Sequence, residues 1–226
     1  GAATLGWAGW QRGIDVRLTD VQVVDADSEP LARVDALRIG LSPLSVIERQ
    51  LLIEDIEFLH PRLRLIRAAD GHFHVSLAGV EGTKADGSLL GGLLAGSRDP
   101  GLPFSYLDRI RLTEARLDVI DSDGEALLAA RVPSAGLRRA SGGLSVDAVI
   151  LAAEGDATGE LDLRGRVEAE TGMLDLQATL KALNLAGFAG TAAVLKPLAA
   201  LDLPLHGSAS VRVSGTGLIE TLALAL

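Results

Sequence analysis

The chain has no cysteine in 226 residues. That excludes a disulfide framework and any thiolate metal site, and it leaves redox chemistry silent about compartment. Aromatic residues are nearly as scarce, at 3%: two Trp, one Tyr and four Phe. Because hydrophobic residues still make up 48%, the apolar surface comes almost wholly from Leu, Val, Ile and Ala. Smooth aliphatic surface of this kind suits alkyl chains and an ordinary core equally. No apolar run approaches the ~20 residues that cross a bilayer as a helix. The longest candidate, Leu89 to Gly96, is broken by Gly91 and Gly92. Basic residues are outnumbered, 21 against 30 acidic, for a net charge of −9. That balance argues against a nucleic-acid partner, whose phosphates demand basic patches. The arginines are scattered, so no polybasic patch for lipid headgroups forms either.

Groupings that carry chemistry are also missing. His72 and His74 stand at i, i+2 beside Asp70, a spacing that could hold zinc, but no third ligand accompanies them. Two solvent-facing histidines after a turn is the better reading. His60 and His206 have no partner in sequence. Ser105, Ser134 and Ser145 lack a nucleophile-elbow context, and no glycine loop opens a helix to cradle phosphate. The acidic residues Asp20, Asp25, Asp27, Asp121 and Asp123 are those that turns ordinarily use. The expectation is a protein with no cofactor, no metal and no enzymatic activity.

What the chain does have is alternation. In residues 160–182, Leu161, Leu163, Val167 and Ala169 alternate with Asp162, Arg164, Arg166 and Glu168. Leu174, Leu176, Ala178, Leu180 and Ala182 then alternate with Asp175, Gln177, Thr179 and Lys181. Period two puts one set on each face of a strand, and Thr171-Gly172 between the runs signals a hairpin. A tight loop there sets Ala169 opposite Leu174, Val167 opposite Leu176, Leu163 opposite Leu180 and Leu161 opposite Ala182. One face is then apolar throughout. On the other, Asp162 meets Lys181 favourably and Glu168 meets Asp175 unfavourably.

Elsewhere the same alternation slips by one residue at recurrent points. It does so from Leu18 to Val21, Val34 to Leu37, Ile53 to Ile56 and Leu112 to Ala115. A bulge at each slip would restore the apolar face and add twist, predicting a curled sheet; a corner between short strands fits any single slip as well. Trp7 and Trp10 are one helical turn apart beside Arg12, which reads either as a helix packing two indoles or as the end of a membrane anchor. Leu44 to Gln50 reads as a short helix and Leu183 to Leu201 as a longer one. Residues 79–103 hold seven glycines and two prolines and read as a long loop or linker. Flanking it is an internal repeat: Val16-Arg17-Leu18-Thr19-Asp20-Val21 is echoed by Ile110-Arg111-Leu112-Thr113-Glu114-Ala115, and Leu31-Ala32-Arg33-Val34 by Leu128-Ala129-Ala130-Arg131-Val132. The alternation is still running at Leu226, which reads as a boundary within, or the open edge of, something longer.

Together these segments resemble the AsmA-like family. The resemblance rests on Leu18-Thr19-Asp20-Val21, Leu31-Ala32-Arg33-Val34, the Leu41-Ser42-Pro43-Leu44 corner and Ile53-Glu54-Asp55-Ile56-Glu57. Pro61-Arg62-Leu63-Arg64-Leu65, Gly159-Glu160-Leu161-Asp162-Leu163-Arg164-Gly165, Leu183-Asn184-Leu185 and Leu203-Pro204-Leu205-His206-Gly207 continue it in order. The nearest branch is the YhdP type of bridge-like lipid transfer protein. The resemblance implies a mainly β fold: an extended, strongly twisted antiparallel sheet curled into an open hydrophobic groove, with one or two short helices. Residues 1–13 would follow a membrane anchor not in this chain. Residues 14–78 and 104–226 would be two groove repeats joined by the linker, the second carrying a helix near 185–201. Proteins of this family are anchored in the bacterial inner membrane, reach across the periplasm, and are implicated in carrying phospholipid to the outer membrane.

Phospholipids would be the partners of such a groove. The expected lipid-contacting residues are Val16, Leu18, Leu37, Ile39, Leu63, Leu65, Leu112, Leu117, Leu161, Leu163, Val167, Leu174, Leu176, Leu180, Val211 and Val213. The alternative is a structural or assembly module: a closed β-sandwich whose greasy face meets a second sheet or a protein partner in the cell envelope.

Overall fold

The computed structural model describes residues 2–7, 14–24, 30–45, 49–67, 73–77, 104–121, 124, 126–152, 159–184, 204–214 and 219–225. Thirteen strands form one sheet. They are β1 (Ala2–Trp7), β2 (Ile14–Val24), β3 (Pro30–Leu41), β4 (Ile53–Leu59), β5 (Arg62–Arg67), β6 (Phe73–Leu77) and β7 (Arg109–Ile120). There follow β8 (Ala126–Ala140), β9 (Gly143–Ala152), β10 (Glu160–Glu168), β11 (Leu174–Asn184), β12 (Pro204–Val213) and β13 (Ile219–Ala225). The sheet runs β1-β2-β3-β4-β7-β8-β9-β10-β11-β12-β13, with β6 attached through β5. Its two ends do not pair with each other, so it is an open, mainly antiparallel sheet rather than a barrel.

The two sequence repeats share this sheet. β2–β3 and β7–β8 are equivalent hairpins, and they meet where β4 and β5 run parallel to β7. β5 continues the line of β4, since Leu59 pairs Thr113 and Arg62 pairs Arg116. On its other side β4 pairs β3, whereas β5 pairs β6. The sheet therefore forks at His60-Pro61.

All four slips lie inside strands. Asp20, His60 and Glu114 each take the left-handed conformation, with φ of 53°. The pairings on either side place Asp20 beside Asp35, His60 beside Glu114 and Glu114 beside Pro133, and the last β3–β4 pair, Ala36 with Leu59, leaves Asp35 next in line to His60. These residues make one transverse row across β2, β3, β4–β5, β7 and β8. Each of those strands carries an extra residue in that row. Leu18 to Val21, Leu37 to Val34, Phe58 to Pro61, Leu112 to Ala115 and Ala135 to Val132 are therefore matched slips, and neighbouring strands keep register through them. A lone insertion would have thrown one apolar set onto the wrong face. The row is a crease. Along it Val34, Pro61, Ala115 and Val132 are buried, Val34 at 1% and Ala115 at 2% exposure, which marks the crease as the floor of a concave face. β9 lacks the extra residue, so the register shifts between β8 and β9 at Arg131/Ser134. The slip from Ile53 to Ile56 is separate: Glu54 bulges out where β4 leaves β3.

Three expectations need correction. The β10–β11 hairpin is shifted by two residues: Val167 faces Leu174, Gly165 faces Leu176, Leu163 faces Ala178 and Leu161 faces Leu180. A two-residue loop would force Thr171 into φ > 0, which a β-branched residue resists. Instead the loop widens until Gly172 alone has positive φ, at 67°, with its N–H bonded to Glu168 C=O at 2.9 Å. The faces survive because the shift is even, and Arg166 now meets Asp175 where Glu168 had been expected. Ala182 does not continue the alternation; its φ is 49° and the β11–β12 register shifts between Leu180 and Leu183. Ala2–Trp7 is a strand rather than a helix, because pairing with β2 satisfies its backbone. Leu44 and Ser45 enter a helical turn. Trp10, Asp25, Asp27, His72, Asp123, the stretch 79–103 and the helix expected near 185–201 lie outside the described residues.

Ala182 tests the cost of the left-handed conformation at a register shift. In the left-handed region a Cβ costs ~1–2 kcal/mol and glycine escapes that cost. Ala182→Gly should raise the urea midpoint, and Ala182→Val should lower it. A fall on Ala182→Gly, as for glycine in an ordinary strand, would contradict the assignment.

Candidate functional site

The site is a face rather than a pocket. Following cross-strand pairs from β2, one apolar phase passes through every strand. Val16 and Leu18 of β2 pair Ile39 and Leu37 of β3, which pair Ile56 and Phe58 of β4, then Ile110 and Leu112 of β7. From there Leu137 and Ala135 of β8 lead to Val146 and Ala148 of β9, and on to Gly165 and Leu163 of β10. Leu176 and Ala178 of β11 pair Val211 and Ala209 of β12, which pair Leu222 and Leu224 of β13. Beyond the crease the same face continues as Leu63 and Leu65 of β5, paired with Leu117 and Val119 of β7.

All sixteen residues expected to touch lipid stand on this face. Leu63, Leu65 and Leu117 lie on one flank of the crease and Leu161 and Leu180 level with it. Val16, Leu18, Leu37, Ile39, Leu112, Leu163, Val167, Leu174, Leu176, Val211 and Val213 lie on the other. The pairings bring them together as one surface rather than as one cavity.

Cover on the face is uneven. Leu107, at 0% exposure, forms one buried cluster with Leu37, Ile56 and Leu144, and Leu18, Ile39, Ile110, Leu137 and Val167 pack around it. β4 and β9 are three strands apart in the sheet, ~14 Å if it were flat. One leucine does not bridge that gap, so the sheet curls around Leu107. Full burial of that side chain contributes ~2–3 kcal/mol. At the far side nothing comparable sits among the described residues: apolar positions of β10–β12 are only half-buried, and Leu222 and Leu224 of β13 are 56% and 70% exposed.

Sequence reasoning missed two residues at the covered end. Leu107 belongs to no alternating run, so no pattern announces it. Arg139 did leave a signal: on β8 it falls in the apolar phase of Ala135 and Leu137, opposite Leu144. Its guanidinium donates to Ser105 C=O at 2.9 Å and Leu107 C=O at 3.0 Å, and its Nε stands 3.2 Å from Asp108 Oδ1.

The opposite face is ionic. Arg38 bonds Asp15 at 2.6 Å and lies 3.6 Å from Glu57. Arg111 reaches Asp55 at 3.2 Å and Glu57 at 3.6 Å, while Thr113 donates to Glu57 at 2.9 Å. Glu57 is the buried member of the network, held there by cations on both neighbouring strands. The hydrogen bond from Arg38 to Asp15, ahead of the opposing effect of burial, holds the guanidinium pKa above its ordinary value. On β11, Lys181 meets Glu160 at 2.7 Å and Asp162 at 2.5 Å. The expected Asp162–Lys181 pair therefore forms, as a diagonal contact. Its hydrogen bond is the main cause that lowers the Asp162 pKa and raises that of Lys181.

Among the described residues no three His, Cys, Asp or Glu side chains are placed to hold a metal ion, and no helix is long and apolar enough to cross a membrane. His60 sits in the crease, His206 Nδ1 accepts from the Ala182 N–H at 3.4 Å, and His74 lies on β6. Neither protein-family models nor curated proteins give a match to this chain.

The Lys181 contacts predict a titration. A depressed Asp162 value means that its contribution is present above the ordinary carboxylate range and lost as pH falls through the lowered value. The raised Lys181 value means that its contribution is present below the ordinary ammonium range and lost as pH rises through the raised value. The pair is thus intact around neutrality. Lys181→Gln should move the Asp162 carboxyl upward in an NMR pH titration, because the hydrogen bond that lowers its value is lost; an unchanged Asp162 titration would contradict the assignment.

Proposed function

We propose that this chain is a non-enzymatic, lipid-conducting groove segment that carries phospholipid acyl chains between the inner and outer membranes of a bacterial envelope. It would act in the periplasm as part of an inner-membrane-anchored protein. The observation that carries the reading is the single apolar phase that runs on from strand to strand, floored by the crease and, among the described residues, left half-covered from β10 to β13. The motif resemblance to AsmA-like proteins supports the same reading.

The physics of such a surface fits passive conduction. Each methylene taken from water is worth ~0.8 kcal/mol, so an aliphatic face holds an alkyl chain without any polar contact. Leu, Val and Ala side chains give no directional bonds, so the chain slides from one strand to the next with little change in energy. The nine residues of β10 reach ~30 Å at ~3.3 Å each, comparable with a bilayer's hydrocarbon core. Charged headgroups remain in water at the rim. No side chain on the apolar face of β10–β13 can act as acid, base or nucleophile.

Photocrosslinking in cells tests this reading. A photoreactive residue at Leu163 or Leu176 should yield lipid adducts by mass spectrometry of the purified protein. The same residue at Arg164 or Gln177, on the opposite face, should yield few. Equal adducts on both faces, or none on either, would refute the proposal.

A further inference from the structure

The end of the groove covered by Leu107 is filled by the chain itself, and the way it is held differs from the rest of the core. Every other member of the buried cluster belongs to a strand: Leu37 to β3, Ile56 to β4 and Leu144 to β9. Leu107 comes instead from the turn that precedes β7, closed by its own N–H bond to Phe104 C=O at 2.9 Å. Phe104 packs against the same cluster. We propose that Phe104–Leu107 is a displaceable plug, seated on the apolar face where an acyl chain would otherwise lie, and that Arg139 is its latch.

Three observations carry this. The first is composition of the seat: Leu37, Ile39, Ile56, Ile110, Leu137 and Val167 are the same aliphatic face that continues, half-covered among the described residues, into β10–β13. A leucine resting on it makes the contacts that an alkyl chain would make. The second is the latch. Arg139 stands in the apolar phase of β8, and its guanidinium binds two carbonyls of the turn, at Ser105 and Leu107, and the Asp108 carboxylate. An arginine on a lipid-facing phase has no use in conduction, yet this one is well placed to hold a turn against the face. Third, Phe104 has φ of 62°. A bulky aromatic residue keeps that conformation only while its surroundings enforce it, and such outliers gather at switch segments. Release of the latch would relax Phe104 and bare Leu37, Ile56 and Leu144. The groove would then be continuous from β13 to β3, whereas the latched state confines free apolar surface to the β10–β13 side.

This inference rests on the groove reading, and two readouts on the full chain separate them. The first is hydrogen exchange. In the wild-type protein the amide of Leu107, bonded only within the turn, should open locally and exchange roughly tenfold or more faster than the β7–β8 ladder and than Asp108, whose N–H is bonded to Glu54 C=O at 2.8 Å. Arg139→Gln should accelerate Leu107 further while the ladder is unchanged. Exchange of Leu107 only together with the ladder, in both proteins, overturns the plug. The second readout is binding of a fluorescent sixteen-carbon fatty acid. Arg139→Gln should bind about twice as much per chain as wild type, in proportion to the apolar face uncovered. Equal binding by both proteins overturns the plug and leaves the groove standing. Absence of binding by either overturns the groove, and the plug with it. If Arg139→Gln fails to fold, Phe104→Asn carries both arms, since asparagine tolerates the left-handed conformation while giving up the aromatic packing.

Discussion

Pleat parity is the constraint on which this structure depends. Successive side chains of a strand point to opposite faces, so one inserted residue reverses everything beyond it. Here five neighbouring strands take the insertion in the same transverse row, with Asp20, His60 and Glu114 supplying the left-handed turns. Because the neighbours slip together, Leu18, Leu37, Phe58 and Leu112 stay on one face with Val21, Val34, Pro61 and Ala115. The same insertions crease the sheet, and small or compact residues at the crease let its flanks approach. The groove and the uniformity of its lining have one cause.

The two faces differ in how completely their demands are met. On the ionic face cations and acids interlock across strands, as in the chain from Asp15 through Arg38, Glu57 and Arg111 to Asp55. Pairs of this partly exposed kind contribute ~0–1 kcal/mol each, so their role is to keep that face wet and ordered rather than to hold the fold. The apolar face has the larger stabilising term, yet among the described residues it is closed only near Leu107. An aliphatic surface left half-covered across β10–β13 favours any alkyl occupant, which ties the energetics of the sheet to the proposed function.

The parallel seam between β4–β5 and β7 has a topological reason. Adjacent strands joined by short turns must run antiparallel, and a parallel pair needs a crossover of a dozen or more residues. Residues 78–108 lie between β6 and β7 and provide that length. Two repeats of one hairpin unit can therefore be set side by side in the same orientation, with their apolar faces aligned and their creases in line.

How much of this was legible follows from range. Face assignment in β10 and β11 needed only local alternation, and an error of two residues in register left Leu163 and Leu176 on the same side. The loop was misjudged because its length depends on which residue accepts positive φ, and Thr171 does not. Trp7 and Trp10 suggested a helix by spacing, but the backbone of Ala2–Trp7 was claimed by β2. Arg139 stood out of phase in the sequence, while its partners Ser105, Leu107 and Asp108 were distant and unpatterned. The amino-acid sequence by itself determined which side chains share a face, because that choice is made residue by residue through the period of the strand. Only the tertiary structure decided that the slips line up as one crease, that the repeats join in parallel, and that Leu107 lies on the face its own strands create. Those outcomes depend on pairing between segments far apart in the chain, whose energies no local pattern records.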